Sequence, residues 1–427
     1  VSLTDRQAAR VFYTWSAQKT AAPLEIIDGQ GARFTTADGA RWFDLGSMTW
    51  NATLGHGHPR LRRALSEAAA RGTLAYPSSV FPAKARAGEL LVEVAPPGMA
   101  KSFICLSGAE ANENAVKMAR LYTGRKKIVA RTRSYHGATL AMLSLSGDPR
   151  REAFEPGLPG VVRMGDPYCF RCPFGKEPQT CSHECAADLE TALLREGPDT
   201  VAAVILEGIV GANGVFVPPL GYWKKIREIC DRYGVLLIAD EVLSGFGRTG
   251  RWFAVDHDGV TPDLMTVAKG VTAGYAPGGA VIVTERIARH FDDEVLWCGL
   301  TAYAHPLVCE AIVATIETLR DDKLVDRAAT LGGWLGPQLH ALGRARPQVG
   351  DVRGIGLLWA LELCRPGTRQ PLGAAEMARV AAALRRHHLH LHKRDNMVYV
   401  APPLVISEAE LQEALAALGT ALNEALA

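Results

Sequence analysis

Between about residues 60 and 320, short apolar runs alternate with longer stretches whose apolar positions recur every three to four residues. The runs 102–106, 127–130, 201–206, 235–239 and 279–283 are dominated by Val, Ile, Leu and Ala. Runs of this length and composition predict strands buried on both faces. Residues 109–122 and 221–233, lying between them, carry the helical period. Strand and helix in alternation predict a mostly parallel sheet with helices over both faces.

The two ends of the chain read differently. Upstream, 25–27, 32–35 and 41–44 are short strand-like pieces, and Asp28-Gly29 and Asp38-Gly39 predict the turns of a hairpin-rich lead-in. Downstream, helical patterns over 324–342, 374–388 and 408–426 flank short strands at 356–363 and 397–400. The expected class is α/β. Residues 1–50 are expected to contribute to a small domain, 51–320 to form a large α/β domain, and 321–427 to form a C-terminal small α+β domain.

Composition narrows the function classes. The 427 residues are 48% hydrophobic and 22% charged, with a formal net charge of +2. Near-balanced charge argues against an electrostatic nucleic-acid or membrane partner, and no window approaches the run of about eighteen apolar residues that a spanning helix needs. A soluble, cytoplasmic protein is expected. Nine cysteines without a secretory pattern are expected to be reduced. Four of them cluster as Cys169-Phe-Arg-Cys172 and Cys181-Ser-His-Glu-Cys185. Two such pairs could hold a structural zinc with His183 as a spare ligand. The alternative is a surface insertion whose cysteines are small apolar fillers, and no catalytic metal is expected.

The chemistry gathers at predicted strand ends. Asp240-Glu241 closes the run 235–239, and Lys269, twenty-nine residues after Asp240, follows a second apolar stretch at 264–268. Open α/β sheets place ligands at such ends. An aldehyde cofactor of the pyridoxal type needs this combination: a lysine for the Schiff base and a carboxylate to hold the ring nitrogen protonated. An ordinary surface lysine and a helix-capping aspartate would read the same way in isolation. Ser107-Gly108-Ala109 sits between a strand and a helix, where backbone N–H groups suit a phosphate or merely a cap. Tyr135-His136-Gly137 supplies an aromatic that could stack on a flat ring or fill a core. Glu207 closes the run 201–206 at the same predicted edge.

The segment Asp240-Glu-Val-Leu-Ser-Gly-Phe-Gly-Arg-Thr-Gly250, with Lys269, closely resembles the signature of class III (ω-type) aminotransferases, pyridoxal-phosphate enzymes of fold type I. The similarity runs from Gly31-Ala-Arg-Phe34 to Ala401-Pro-Pro-Leu404. It implies a large domain with a mostly parallel sheet, a smaller α+β domain and pyridoxal 5'-phosphate as cofactor. It also implies that Lys269 carries the cofactor and shuttles the proton, and that Asp240 pairs with the pyridine nitrogen. Val242 and Tyr135 would sandwich the ring, Gly108 and Ala109 would cradle the phosphate, and His136 and Glu207 would complete the site. Thr301 would reach the phosphate of the neighbouring subunit, implying a homodimer. Trp50 matches a pocket tryptophan of the amine:pyruvate branch, with Tyr76 beside it and Tyr399 lining the same pocket.

Departures from the family pattern bear on the substrate. Where many relatives have a hydroxyl residue in the phosphate cup, this chain has Ala109. Positions where relatives place a carboxylate-gripping arginine hold Ala138, Tyr399 and Glu408. Arg394 and Lys393 are possible replacements or a solvated basic turn. The expected reaction moves an amino group from an ω-amino acid or primary amine to a small keto acid, chiefly pyruvate, in a ping-pong sequence. An aminomutase, racemase or decarboxylase would use the same Lys269 and Asp240, and a non-catalytic cofactor-binding module is the remaining alternative.

Overall fold

Residues 2–427 are described by the structure, a computed structural model. A lead-in of β1 (Ile26–Gln30), β2 (Arg33–Thr36) and β3 (Arg41–Asp44) precedes the central strands. These are β4 (Met99–Cys105), β5 (Lys127–Arg131), β6 (Val161–Met164), β7 (Val201–Glu207), β8 (Leu236–Asp240), β9 (Leu264–Ala268) and β10 (Gly279–Thr284). Their order in the sheet is β4-β10-β9-β8-β7-β5-β6. β10 runs antiparallel to both neighbours, while β9, β8, β7, β5 and β6 are mutually parallel.

Alternation along these strands feeds two cores. Val204 and Leu206 of β7, with Leu237 and Ala239 of β8, face one hydrophobic cluster. Ala203, Ile205, Leu236 and Ile238, one residue out of phase, face the other. Both faces are covered, so every residue of β7, β8 and β9 is buried. That explains why these strands read as continuous apolar runs.

Three further elements differ from the sequence expectation. The strand β6 is a four-residue, partly exposed edge, too short to carry a pattern. The Asp28-Gly29 pair lies inside β1, and the chain reverses at Gly31 (φ +59°). Gly29 is there because a Cβ would come within 2.7 Å of the His56 ring, a close approach rather than a turn. In the C-terminal region, Gly356 (φ +57°) is the turn between β11 (Val349–Ile355) and β12 (Leu358–Leu363). The expected strand at 356–363 therefore starts two residues later.

β13 (Leu389–His390), β14 (Lys393–Arg394) and β15 (Met397–Val400) complete two smaller sheets, ordered β1-β2-β3-β13 and β11-β12-β15-β14. The parallel pairing of β3 with β13 sets Asp44 opposite His390 and ties the lead-in to the C-terminal region. Asp44 is fully buried, with His390 Nδ1 at 3.0 Å and His56 Nε2 at 3.1 Å from its oxygens. The backbone N–H of Met48 donates to it as well. Burial alone would raise the Asp44 pKa, but these hydrogen bonds, that of His390 foremost, hold it down to about 2.

A carboxylate whose folded pKa lies below its unfolded value stabilises the fold above the unfolded pKa. That stability disappears as pH falls through the folded one. With an unfolded value near 3.8 and a folded one of about 2, Asp44 contributes about 2 kcal/mol at neutral pH. Urea unfolding of Asp44→Asn should show that deficit at pH 7 and a smaller one at pH 3. An equal deficit at both pH values would show that ionisation of Asp44 is not its source.

Candidate active site

The parallel strands β7, β8 and β9 end on one edge, above which opens a cleft of about 1040 Å³. Its lining includes Ser107, Gly108, Ala109, Tyr135, His136, Glu207, Asp240, Val242 and Lys269, together with Trp50. The acidic pair of the sequence divides here. Asp240 faces the cleft, while Glu241 turns into the core, where Ser244 Oγ and the Val255 N–H donate to it. Burial pushes the Glu241 pKa up to about 7.

Asp240 is held from three directions. Oδ2 accepts from Asn112 Nδ2 at 2.8 Å and lies 2.7 Å from His136 Nδ1, and Oδ1 accepts from the Val242 N–H at 3.1 Å. Asn112 is itself oriented, because its Oδ1 accepts from Thr266 Oγ1 on β9 and its amide donates to the His136 carbonyl. A carboxylate bound this way cannot rotate, and its acceptor capacity is directed at the cleft. Glu207 takes a supporting position: it accepts from the N–H groups of Tyr135 and Gly211, fixing the turn that carries the aromatic. Burial raises its pKa.

The amine stands on the neighbouring strand. Lys269 follows β9 with φ +45°, a left-handed conformation that a non-glycine residue adopts at a cost. Burial lowers its pKa, opposed by the charges of Asp240 and Glu207, so the neutral amine is favoured relative to a lysine in water. Its Nζ lies 5.4 Å from the centre of the Trp50 ring.

Trp50 is presented by an unusual turn. Ser47, Met48, Thr49 and Trp50 all have φ between 45° and 67°, so the chain makes one left-handed helical turn. Asp44 accepts from the Met48 N–H, Ser47 Oγ donates to the Ala401 carbonyl, and Arg248 Nη2 donates to Ser47 Oγ. Arg248 is fully buried and also reaches the carbonyls of Leu357 and Pro402. The arginine of the Asp240–Gly250 segment thus braces this turn from outside the cleft. The Trp50 indole nitrogen is buried with no hydrogen-bond partner among the described residues.

Opposite these groups, the helix Gly108–Thr123 points its N-terminus into the cleft. Ser107 caps it, accepting from the Glu110 N–H. A Cβ at Gly108 would lie 2.8 Å from Val242 Cγ1, so only glycine lets the helix start approach that closely. The methyl of Ala109 packs over Gly137, where a Cβ would lie 2.6 Å away, and brings no hydroxyl to the cleft.

Other predicted positions fall outside the lining. Tyr399 is buried behind Trp50, edge-to-face with it at 5.7 Å, and its hydroxyl donates to the Ala212 carbonyl. Tyr76 is 69% exposed and Thr301 is also on the surface, and neither lines this chain's own cleft. Glu408 opens the last helix, Glu408–Leu426, and Ala138, Lys393 and Arg394 do line the cleft. Cys169, Cys172, Cys181 and Cys185 surround a separate small cavity as free thiols. Burial pushes the Cys185 thiol up to about 12. Among the described residues, no group of three or more His, Cys, Asp or Glu could hold a metal ion.

Several cleft residues were not singled out by the sequence. Asn112 is one, although it lies in the quoted helix start; its position one turn after Gly108 was the available signal. Trp15, Arg150 and His392 are others, brought from three distant segments.

A sequence model described as class-III aminotransferase matches residues 14–422. An adenosylmethionine-8-amino-7-oxononanoate aminotransferase of Geobacter sulfurreducens is 34% identical, the match covering 91% of this chain and 89% of the relative. A taurine–pyruvate aminotransferase of Bilophila wadsworthia is 32% identical, with 96% and 95% covered. The solved structure of taurine:2-oxoglutarate aminotransferase from Bifidobacterium kashiwanohense, in complex with PLP and glutamate, superposes with a TM-score of 0.94. Its identity is 37%, over 98% of this chain and 96% of that one. The chain therefore has the fold of a pyridoxal-phosphate-dependent aminotransferase, as the sequence predicts.

The left-handed turn makes a prediction of its own. Thr49 is exposed at φ +67°, where an L-residue costs about 1–2 kcal/mol and glycine has no such steric cost but loses about 0.5–1 kcal/mol in chain entropy. Thr49→Gly should raise unfolding free energy by about 0.5–1 kcal/mol. A drop in urea midpoint instead would mean that the Thr49 side chain stabilises the turn more than its conformation strains it.

Proposed function

The chain belongs to the class III aminotransferase family, and we propose that it moves an amino group from an ω-amino acid or primary amine to a small keto acid, chiefly pyruvate. Pyridoxal 5'-phosphate would be bound in the cleft by the residues described. The observation that carries this reading is the placement of Lys269 and Asp240 at the ends of adjacent strands, β9 and β8, facing one cleft. The relatives' names, taurine with pyruvate and taurine with 2-oxoglutarate, favour an ω-amino acid as donor.

The residues suit the cofactor. The capped, positive end of the helix Gly108–Thr123 would hold the phosphate, and the bare Gly108 lets it approach the backbone. Tyr135 and Val242 would enclose the ring, with Asp240 at its nitrogen. When bound, pyridoxal phosphate supplies an aldehyde that condenses with amines and a protonated ring that draws electrons from the reacting carbon. Asp240 would keep that ring nitrogen protonated, because Asn112 and His136 hold the carboxylate in place. Lys269 Nζ, whose pKa burial lowers, would take the proton from the amine-bearing carbon of the donor. In the second half it returns a proton to the corresponding carbon of the acceptor. Trp50 walls the cleft beside Nζ and limits water. The carbonyl product leaves before the keto acid enters, a ping-pong order. Thr301, exposed on its own chain, would complete the phosphate site of a second subunit in a homodimer.

Holoprotein incubated with donor alone should release one equivalent of carbonyl product per site and retain the amino group until a keto acid is added. Inversion of the donor, or carbon dioxide release, would instead point to a racemase or decarboxylase. Lys269→Ala should lower turnover by at least about a thousandfold. It should also remove the visible absorbance of the lysine–cofactor linkage, with an unchanged far-ultraviolet spectrum. Undiminished turnover in that variant would refute the assignment of Lys269.

A further inference from the structure

Four thiols gather outside the cleft. Cys169, Cys172, Cys181 and Cys185 line one cavity of about 20 Å³, with room for about one water. Two of the four are engaged or closed off. The Cys181 thiol donates to Glu184 Oε2, and its sulfur accepts from the His183 N–H, both at 3.3 Å. Cys185 is buried in the first turn of the helix Glu184–Glu196, and burial pushes its thiol up to about 12. Cys169 and Cys172 are only half-buried.

The backbone sets this second pair in register. Cys169–Arg171 is a single turn of 3₁₀ helix, closed by the Arg171 N–H on the Tyr168 carbonyl at 3.1 Å, and Cys172 caps it. Such a turn holds three residues and rises about 2 Å per residue, so Cys172 stacks over Cys169 with the Cα atoms about 6 Å apart. That lies inside the span of roughly 4.4–6.8 Å that a disulfide bridges. Burial, and then the neighbouring Cys172 and Cys181, push the Cys169 thiol above its ordinary range. A crowded dithiol that gains nothing by ionising does not stabilise its reduced form, which favours the bridge at equilibrium.

Between the two cysteines sits the residue that docks their segment. Arg171 Nε and Nη2 reach Glu362 Oε1 at 2.8 and 2.7 Å, and the Tyr168 hydroxyl donates to Oε2. Glu362 is completely buried on β12, and Arg353 Nη1, 2.8 Å from Oε2, supplies the other cation. Arg353 Nε in turn donates to the Gly214 carbonyl, two residues from Ala212 on the cleft wall. Withdrawal of Arg171 would leave a buried carboxylate short of one of its two cations, a destabilised state. The turn that presents Arg171 is therefore what holds the cysteine segment to the small sheet.

We propose that Cys169 and Cys172 are a redox-active pair, and that their disulfide is a covalent clamp that fixes Arg171, and with it the cysteine segment, against Glu362 on β12. The oxidant is a low-molecular-weight disulfide such as glutathione disulfide. The Cys172 thiol, on losing its proton, attacks one sulfur of that molecule; the S–S bond breaks and one glutathione leaves as a thiol. Cys169, deprotonated in turn, attacks the Cys172 sulfur and displaces the second glutathione. The two cysteines give up two electrons, and the glutathione disulfide that takes them ends as two thiols. Nothing in this inference depends on the aminotransferase reading.

Holoprotein equilibrated with excess glutathione disulfide under native conditions, then blocked with iodoacetamide, should lose two of its nine free thiols. Trypsin cuts after Arg163, Arg171, Lys176 and Arg195, which puts Cys169, Cys172 and the remaining two cysteines of the cluster on three separate peptides. Mass spectrometry should find 164–171 joined to 172–176, with 177–195 unlinked, and dithiothreitol should restore both thiols. In the oxidised protein, amide hydrogen exchange over residues 168–175 should slow about tenfold or more, because the closed ring removes conformations from the opened turn. Cys172→Ala should abolish that response to the oxidant. An unchanged thiol count, a stable glutathione adduct at Cys172 without ring closure, or a link from either peptide to 177–195 would overturn the proposal. So would a bridge that forms yet leaves exchange over 168–175 unaltered. Each of these outcomes is read on the unsubstituted protein, whether or not the variant folds.

Discussion

A carboxylate buried at the end of an inner strand must be paid for in hydrogen bonds, and the three that hold Asp240 organise the whole site. Each comes from a different part of the chain. Asn112 arrives on the helix after β4, His136 on the turn after β5, and the Val242 N–H from the segment after β8. Thr266 on β9 then orients Asn112. Satisfying one oxygen pair therefore requires the helix start, the aromatic turn and two central strands to meet at one point. That meeting point is also the floor of the cleft.

Around this floor the backbone is strained where side chains must be aimed. Lys269 and the four residues Ser47–Trp50 occupy left-handed conformations that none of them favours. The strain is sustained by contacts outside the cleft: Asp44 under Met48, and Arg248 behind Ser47. Arg248 sits in the same segment as Asp240, so one stretch of eleven residues, 240–250, both lines the cleft and braces the turn that carries Trp50. The same Asp44 joins β3 to β13. Stability of the lead-in and shape of the cleft wall are in this way coupled through one buried carboxylate.

Much of the architecture was legible because its period survives in the sequence. β7, β8 and β9, buried on both faces, read as unbroken apolar runs, and the long helices Gly108–Thr123, Leu324–Arg344 and Glu408–Leu426 kept their amphipathic repeat. β6 and β11 did not, since one is a short edge and the other is only half-buried with glycines at 350 and 354. Gly29 shows how a turn signal can mislead: its glycine answers a close approach by His56, a contact between residues far apart in the chain. Asn112 was hidden for a related reason, because nothing local distinguishes an asparagine that meets a carboxylate 128 residues away.

By itself the sequence pointed to the class of chemistry, because the eleven-residue segment 240–250, followed by Lys269 at the end of a second apolar run, is a pattern of local order that resembles a family signature. It also determined the alternation of strand and helix, because burial on two faces leaves its mark residue by residue. Tertiary structure alone decided which arginines enter the cleft. Arg150 and Arg394 are 244 residues apart, and only the folded chain brings both to the buried carboxylate of Asp148. Whether a charged residue is solvated or held depends on partners contributed from elsewhere, and that information is not carried by its neighbours in sequence.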